Sequence, residues 1–468
     1  MNDKLNAFYG QFKKSEPEVY FNKPRNEYVI KQTGDPILQD WVSLPKAEVL
    51  DMLKDYGIRT SRLKGEDRSP GEEYMAAIRN NTVKTIKYAG PLGGYMPGLC
   101  RVGSFSALIT EGPKIPKAIK GEFGYVKSII DQLFGDQAKY IYAYMSLSRR
   151  QLLAGLMRSM PAIVMVGPKE CGKSFFQSFI MTPFLGGRGV NITDNLTGKE
   201  KFSGLIYQNE HLLMGDAKLS NKACDRRDLG SHIKSLVATE DQVMRVMYVD
   251  PLGVRTFTRI TISLNDEPEN ITGLPMMDDS LEDKMFIFRV KEVQWPVMAF
   301  TPEDKEKFRV DVIAQIPAFC WWLDNEYHIP EELTRNQATG KPARFCLNHY
   351  HDPYILRMLT EMSPEFNLLE LIRQAYFTVP TLTNAQAKTY HGPEQIRMSA
   401  LDLSQGLRGD DSPTRADART LLPNGSRIGT LLERLHSKFP ENVYQERTAK
   451  NRFWVIKGVD SMLSSTLI

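Results

Sequence analysis

Residues 167–174 read GPKECGKS, and the spacing G-x-x-x-x-G-K-[ST] constrains the surrounding fold more than any other stretch of the chain. The two glycines let the backbone wrap closely enough for N–H groups to point at phosphate oxygens. Lys173 is then placed to reach the β- and γ-phosphates, and the Ser174 hydroxyl to ligate Mg²⁺. Such a loop needs a buried strand before it and a helix N-terminus after it. Both flanks fit. PAIVMVG precedes it as an apolar run, and SFFQSFIM follows, in a helix expected from Lys173 to Leu185 and closed by Gly186-Gly187. We therefore expect ATP and Mg²⁺ as cofactors, with the nucleotide held by Gly167, Pro168, Lys169, Glu170, Cys171, Gly172, Lys173 and Ser174. A glycine-rich turn beside a surface lysine would leave both flanks unexplained.

A loop of this kind works with a carboxylate at the end of a neighbouring strand, which holds Mg²⁺ or its waters. The segment HLLMGD offers Leu212–Met214 as the strand and Asp216 as the acid. Where many such ATPases carry a second acid, this chain has Gly215, and Glu210 stands at the wrong end of the strand. Further on, Gln242–Val249 and Val254–Leu264 read as strands about the turn Asp250-Pro251-Leu252-Gly253. Arg245, Tyr248, Arg255 and Arg259 lie on or near that hairpin, as a nucleic-acid grip or as a solvated basic face. The second run ends at Asn265, a polar tip on an apolar strand, suited to face a γ-phosphate.

Bulk composition narrows the partners. Lys and Arg total 60 against 56 Asp and Glu, a net charge of +4. That excludes a polybasic protein and an acidic disordered one, so nucleic-acid contacts must come from local patches. Five cysteines without a CxxC pair point to a reducing compartment. The first residues lack a secretory apolar core, and no apolar run approaches the roughly 18 residues of a membrane span. A cytoplasmic location without a membrane partner is expected. Cys346-x-x-His349-x-His351 is followed by no second pair, which argues against zinc.

At 468 residues the chain has room for two to four domains. Residues 1–110 are expected to form an accessory domain, with a helix over Leu44–Tyr56 and an irregular β segment over Lys84–Pro113. Residues 111–155 read as helices, at Gly124–Leu133 and Lys139–Leu156. In 156–300 strands alternate with helices, an α/β core whose further elements are the helix Leu229–Val237 and the strand Met285–Val290. Residues 301–380 are mostly helical. Residues 381–424 lack periodicity and read as a linker. A helix and a small hairpin fill 425–468.

Taken in order, GPKECGKS, HLLMGD, IKSLVATEDQVMRVMYVDPLGVRTFTRITISLND and DDSLEDKMFIFRV form a spaced series. The series resembles the superfamily 3 helicases, and most of all the phage, plasmid and prophage primase–helicase proteins, which are similar to the poxvirus-type helicase. The resemblance runs from about residue 125 to 380, taking in YIYAYMSLSRRQLL and HYHDPYILRMLTEMSPEFNLLELI. It implies an AAA+ P-loop ATPase core with a central β-sheet flanked by helices, a helical collar, and a hexameric ring. Such a ring hydrolyses ATP and moves along single-stranded DNA in its channel during replication of a mobile element. Residue by residue it implies phosphate and Mg²⁺ roles for Lys173 and Ser174, the acidic position for Asp216, and a γ-phosphate sensor in Asn265. Lys234 and the hairpin residues Arg245, Tyr248 and Arg255 match the region that grips DNA through its phosphates.

Two positions depart from the pattern. Gly215 replaces a second acid. Lys284 stands where the family places a trans-acting arginine, with Arg289 the nearest arginine, and a lysine cannot make the bidentate contact of a guanidinium. The C-terminal RIGTLLERLHSKFPENVYQERTAKNRFWVIKG resembles the second half of a winged-helix module. Arg427, Arg434, Lys438, Arg447, Lys450 and Arg452 would give it a basic face for duplex origin DNA, with Phe453 and Trp454 packing the wing; a plain capping domain is the alternative. No paired-acid motif precedes the similar region, so primer synthesis is not expected and a separate primase is an expected partner. Two other functions stay open: an origin-binding initiator or loader whose ATPase drives assembly, and a nucleotide-gated defence or regulatory scaffold.

Overall fold

Every residue of the strand Ala162–Gly167 is buried, and a strand apolar on both faces belongs inside a sheet covered by helices. The computed structural model puts it there. It describes residues 18–31, 41–201, 203–215, 219–220, 222–246, 250–275, 277, 279–295, 301–336, 340–361, 363–377, 394–423, 427–448 and 451–465. The chain divides into two units: residues 1–218, 228–266 and 279–350 form the first, and 219–227, 267–278 and 351–468 the second.

The first unit begins with an antiparallel set, β1 (Val19–Asn22), β2 (Glu27–Lys31) and β3 (Trp41–Leu44). Helices α1 (Lys46–Asp55) and α2 (Pro70–Asn80) cover it with Val49, Leu53, Tyr74, Met75 and Ile78. Ser69 and Glu72 form a capping box that satisfies the first N–H groups of α2. Strand β4 (Thr85–Ile86) joins β1 in parallel. A second small sheet takes β5 (Tyr88–Gly90), β6 (Gly98–Val102) and β7 (Phe105–Ile109), with β7 in the middle.

Helices α3 (Gly124–Phe134) and α4 (Ala138–Leu153) then lead into the central sheet. Its strands are β8 (Ala162–Gly167), β9 (Gly189–Asn191) and β10 (His211–Met214), followed after a hairpin of β11 (Gln242–Met244) and β12 (Leu252–Val254) by β13 (Arg259–Asn265) and β14 (Met285–Arg289). All pairings in the sheet are parallel, in the order β14-β8-β13-β10-β9. Helix α5 (Ala223–Ala238) precedes the hairpin, and α6 (Pro302–Ala314) and α7 (Ile316–Asn325) follow β14. Phe134 of α3 is the pivot of the packing. It meets Phe176 edge-on at 5.1 Å and Phe288 of β14 at 5.4 Å, the geometry that aromatic quadrupoles favour.

Two expectations change here. The run Val254–Leu264 is not one strand: β12 ends at Val254, and β13 starts at Arg259 in a different sheet. The hairpin is correspondingly short, with Gln242 opposite Val254 and Met244 opposite Leu252.

In the second unit, α8 (Pro364–Ile372) is followed by β15 (Gln395–Met398), α9 (Ala400–Arg408), α10 (Arg415–Leu421), α11 (Ile428–Lys438), β16 (Val443–Arg447), β17 (Arg452–Lys457) and α12 (Val459–Ser465). The sheet order is β15-β17-β16, all antiparallel. Leu368, Leu403, Leu407, Leu431, Leu432, Leu435 and Ile456 meet in its core. The stretch read as a linker thus carries β15, α9 and α10. Helices of 9 and 7 residues span too few turns to show a 3.6-residue period, so the helix start at Ser399, whose side chain accepts from Asp402 N, is the clearer local signal.

Candidate nucleotide site and nucleic-acid face

The loop after β8 is shaped by its glycines. A Cβ at Gly167 would stand 2.6 Å from the Val290 carbonyl oxygen, so only glycine lets β8 end beside β14 in this way. Gly172 holds φ at +109°, a conformation other residues rarely adopt. Pro168, Lys169 and Glu170 are exposed between them, while Cys171 is buried and its thiol is pushed up by that burial. Lys173 starts a single α turn, Lys173–Phe175, that widens into a π-helix over Phe176–Met181. Ser174 is exposed at that turn.

The Lys173 ammonium is almost fully buried and points back into the loop. It donates to the carbonyl oxygens of Gly167 at 2.8 Å and Pro168 at 2.5 Å, and to Asn265 Oδ1 at 3.2 Å. Asn265 is the last residue of β13 and pairs in register with Gly167. Parallel pairing of β13 with β8 therefore brings residues 92 apart in sequence to one point. Asp216 lies outside the described residues. Gly215 ends the described chain just past β10.

Below the loop a buried polar chain ties the π-helix to the sheet. Gln177 Nε2 donates to Thr261 O and Oγ1 at 3.0 and 2.9 Å, and His211 bridges Thr182 Oγ1 (2.7 Å) and Thr261 Oγ1 (2.8 Å). Complete burial depresses His211 to about 3, so it is neutral. Beside the loop stands Trp295, 39 % exposed, with its ring atoms 3.6 Å from where a Gly172 Cβ would be. Phe175 meets it edge-on at 4.9 Å. Sequence reading passed over Trp295, because it lies beyond the last strand with no motif around it. Its one signal was a tryptophan a few residues past an apolar β run.

The other expected residues scatter. Glu210 is fully buried at the start of β10, ion-paired with Arg188 and accepting Gly94 N at 2.7 Å, so it is a structural tie. Lys284 is 6 % exposed and ion-paired with its neighbour Asp283 at 2.5 Å. Its ammonium is thus engaged within the chain at the start of β14. Arg289 is exposed at the loop end of β14.

On the hairpin, Arg255 is not a free cation. It grips Asp241 with two bonds, at 2.6 and 3.1 Å, and Glu240 lies 3.8 Å away; the guanidinium holds the Asp241 carboxyl below its usual range. Lys234 on α5 donates to Ser280 Oγ. Arg245 is exposed just after β11, its backbone N–H donating to Ser203 Oγ at 3.0 Å. Tyr248 lies outside the described residues. Arg259, read as near the hairpin face, is completely buried. It donates to Ser148 Oγ, Gln151 Oε1 and the carbonyls of Arg158 and Thr258, and its guanidinium lies 3.9 Å over the Phe257 ring. Burial lowers it to about 10, still charged at neutral pH.

The fold has a solved counterpart. The apo structure of the NrS-1 C-terminal region (305-718) superposes with a TM-score of 0.55 at 12 % identity, covering 97 % of each chain. A second, A form apo structure of the same region gives 0.53 at 12 % identity, covering 97 % of this chain and 98 % of that one. A structure of SCCmec type IV Cch, described as an active helicase, reaches only 0.32 at 12 % identity, over 91 % of this chain and 74 % of that one. That superposition is too loose to carry a fold assignment. Residues 165–280 match a family of unknown function, DUF5906. No curated protein matches. Among the described residues no helix is long and apolar enough to cross a membrane.

Proposed function

We propose that the chain is an ATP-driven DNA helicase or translocase of the superfamily 3 kind, working as a hexameric ring on single-stranded DNA during replication of a mobile element. The observation that carries this reading is the meeting of Lys173 and Asn265 at the end of β8 and β13. A buried ammonium and a strand-end amide side chain converge on one glycine-rich loop, the donor set that a polyphosphate calls for. The parallel order β14-β8-β13-β10-β9, with the loop at the carboxyl end of a central strand, is where ligands of open α/β sheets bind.

The residues fit ATP and Mg²⁺. Lys173 would turn its ammonium from the loop carbonyls to the β- and γ-phosphates, and Asn265 would remain beside the γ-phosphate. Ser174 and Asp216 would hold Mg²⁺, which neutralises phosphate charge when bound. Trp295 would offer its exposed face to the base, next to the loop's second glycine. Arg245 is the hairpin cation best suited to a DNA phosphate, since Arg255 and Lys234 already have partners.

ATP hydrolysis stimulated by single-stranded DNA, and abolished by Lys173→Ala, is the expected behaviour. Hydrolysis and unwinding that survive this substitution would overturn the reading. The strand order of the second unit, β15-β17-β16 with α11 before the hairpin, is compatible with a winged-helix module, and it supports a second role in engaging duplex DNA, as an initiator or loader would.

A further inference from the structure

We propose that duplex DNA is contacted by the last register pair of the β16–β17 hairpin, through the phosphate-binding guanidiniums of Arg447 and Arg452, and not by the basic residues of α11. The inference rests on the duplex-binding part of the reading above and narrows it to one surface.

Arg447 and Arg452 are the last pair of the hairpin, directly opposite each other in register, and both are exposed. Like charges facing across an antiparallel pair destabilise it. Among the described residues neither arginine has an ion-pair partner to offset that repulsion. The strand ends are nonetheless fixed: Thr448 N donates to Asn451 O at 2.9 Å, and Asn451 N to Thr448 Oγ1 at 3.2 Å. Successive pairs of a hairpin alternate faces, so the arginines share the face of Gln445 and Trp454, two steps inward. On that face Gln445 donates to Glu433 of α11 at 2.7 Å. The two guanidiniums therefore extend the surface on which α11 lies.

The cations of α11 itself are already matched. Glu365, at the start of α8 and 4 % exposed, takes Lys438 at 3.0 Å and Arg434 at 3.7 Å. Withdrawing both to reach phosphates would strip a buried carboxylate of both its ion pairs, which is unfavourable. Glu433 adds an acid on the same helix. Arg397 is likewise engaged, bonded to Glu446 at 2.7 Å and lying 4.1 Å over Phe453. Arg447 and Arg452 are thus two exposed cations side by side, in contrast to the engaged Arg434, Lys438 and Arg397. Among the described residues of the hairpin the aromatic rings are already covered: Arg397 lies over Phe453, Lys457 over Tyr444, and Trp454 is buried. Unpaired bases are held by aromatic stacking, whereas a duplex is held by its phosphates, so the surface fits a duplex.

The test is fluorescence anisotropy of the full chain, without nucleotide, against a blunt DNA duplex, the same sequence as a single strand, and an RNA duplex, over a salt series. Arg447→Gln with Arg452→Gln should weaken DNA-duplex binding tenfold or more and lower the salt slope by about two. Single-strand binding should be unchanged. Thermal stability should hold or rise, because a repulsive pair is removed. The α11 set Glu365→Gln, Arg434→Gln and Lys438→Gln, which removes two cations together with the acid they share, should bind duplex DNA as the wild type does. Unchanged duplex affinity in the hairpin variant would overturn the proposal. So would an equal loss on single strands, a larger loss in the α11 set, or a preference for the RNA duplex. A wild-type chain with DNA-stimulated ATPase but no duplex affinity would sink this inference alone. ATPase that survives Lys173→Ala would sink the motor reading and leave the hairpin measurement untouched.

Discussion

Lys173 Nζ lies 3.2 Å from Asn265 Oδ1, and both side chains stand at the register pair that closes β13 against β8. The two groups should separate in function. Lys173→Ala is expected to lose both ATP binding and turnover, because the ammonium faces phosphates in the ground state and the transition state alike. Asn265→Ala should keep binding within a few fold while turnover falls by about 10²–10³, the range for one preorganised polar group beside developing charge. Steady-state hydrolysis alongside binding of a fluorescent nucleotide reads the split. Wild-type turnover in Asn265→Ala would remove it from the site.

Trp295 beside Gly172 makes a prediction that inorganic phosphate chains can isolate. If its ring meets the base, Trp295→Ala weakens ATP binding by about 1–3 kcal/mol, while inorganic triphosphate binds as before. Trp295→Phe should restore most of the loss. Equal weakening for both ligands would mean that the substitution has disturbed the loop and that the ring does not meet the base.

The buried guanidinium of Arg259 and the exposed one of Arg255 should behave in opposite ways. Arg259→Ala strands Ser148 Oγ, Gln151 Oε1 and two carbonyls in the interior, at a cost of about 3 kcal/mol or more, with no selective effect on DNA. Arg255→Ala should leave single-strand affinity near wild type, because Asp241 already occupies the guanidinium. Arg245→Ala should weaken it and lower the salt slope by about one. Urea unfolding and anisotropy together check the set, and a larger DNA defect in Arg255→Ala than in Arg245→Ala would reverse the assignment.

These arginines also mark how far local reading carries. The strand Ala162–Gly167, the loop glycines and the strand-end position of Asn265 were legible, because each depends on a contiguous apolar run and its punctuation. Arg259 was not. It continues a β-branched and aromatic run, and most of the partners that make a buried arginine tolerable, Ser148 and Gln151 of α4 and the Arg158 carbonyl, come from tertiary packing. The partners of Lys284 and of the α11 cations were not legible either: Asp283 is adjacent to Lys284, Glu365 lies 73 residues before Lys438, and no charge spacing marks either pair. Arg447 and Arg452 were visible as basic residues, but their direct opposition required the register.

His211 carries a pH dependence whose sign follows from its burial. An unfolded histidine titrates near 6.5, whereas His211 in the fold titrates at about 3 because desolvation disfavours its charged form. Below pH 6.5 the unfolded chain takes up a proton that the folded chain refuses. Stability is therefore lost as pH falls from about 6.5 toward 3, approaching 1.4 kcal/mol per pH unit, and no contribution appears above 6.5. His211→Gln keeps an amide between Thr182 and Thr261 but removes the titration. The variant should be somewhat less stable at pH 7.5, and its urea midpoint should fall less steeply than that of the wild type between pH 5.5 and 4.5. Parallel slopes for the two proteins over that interval would show that the folded chain accepts the proton at His211, contrary to a dry, neutral imidazole bridging the two threonines.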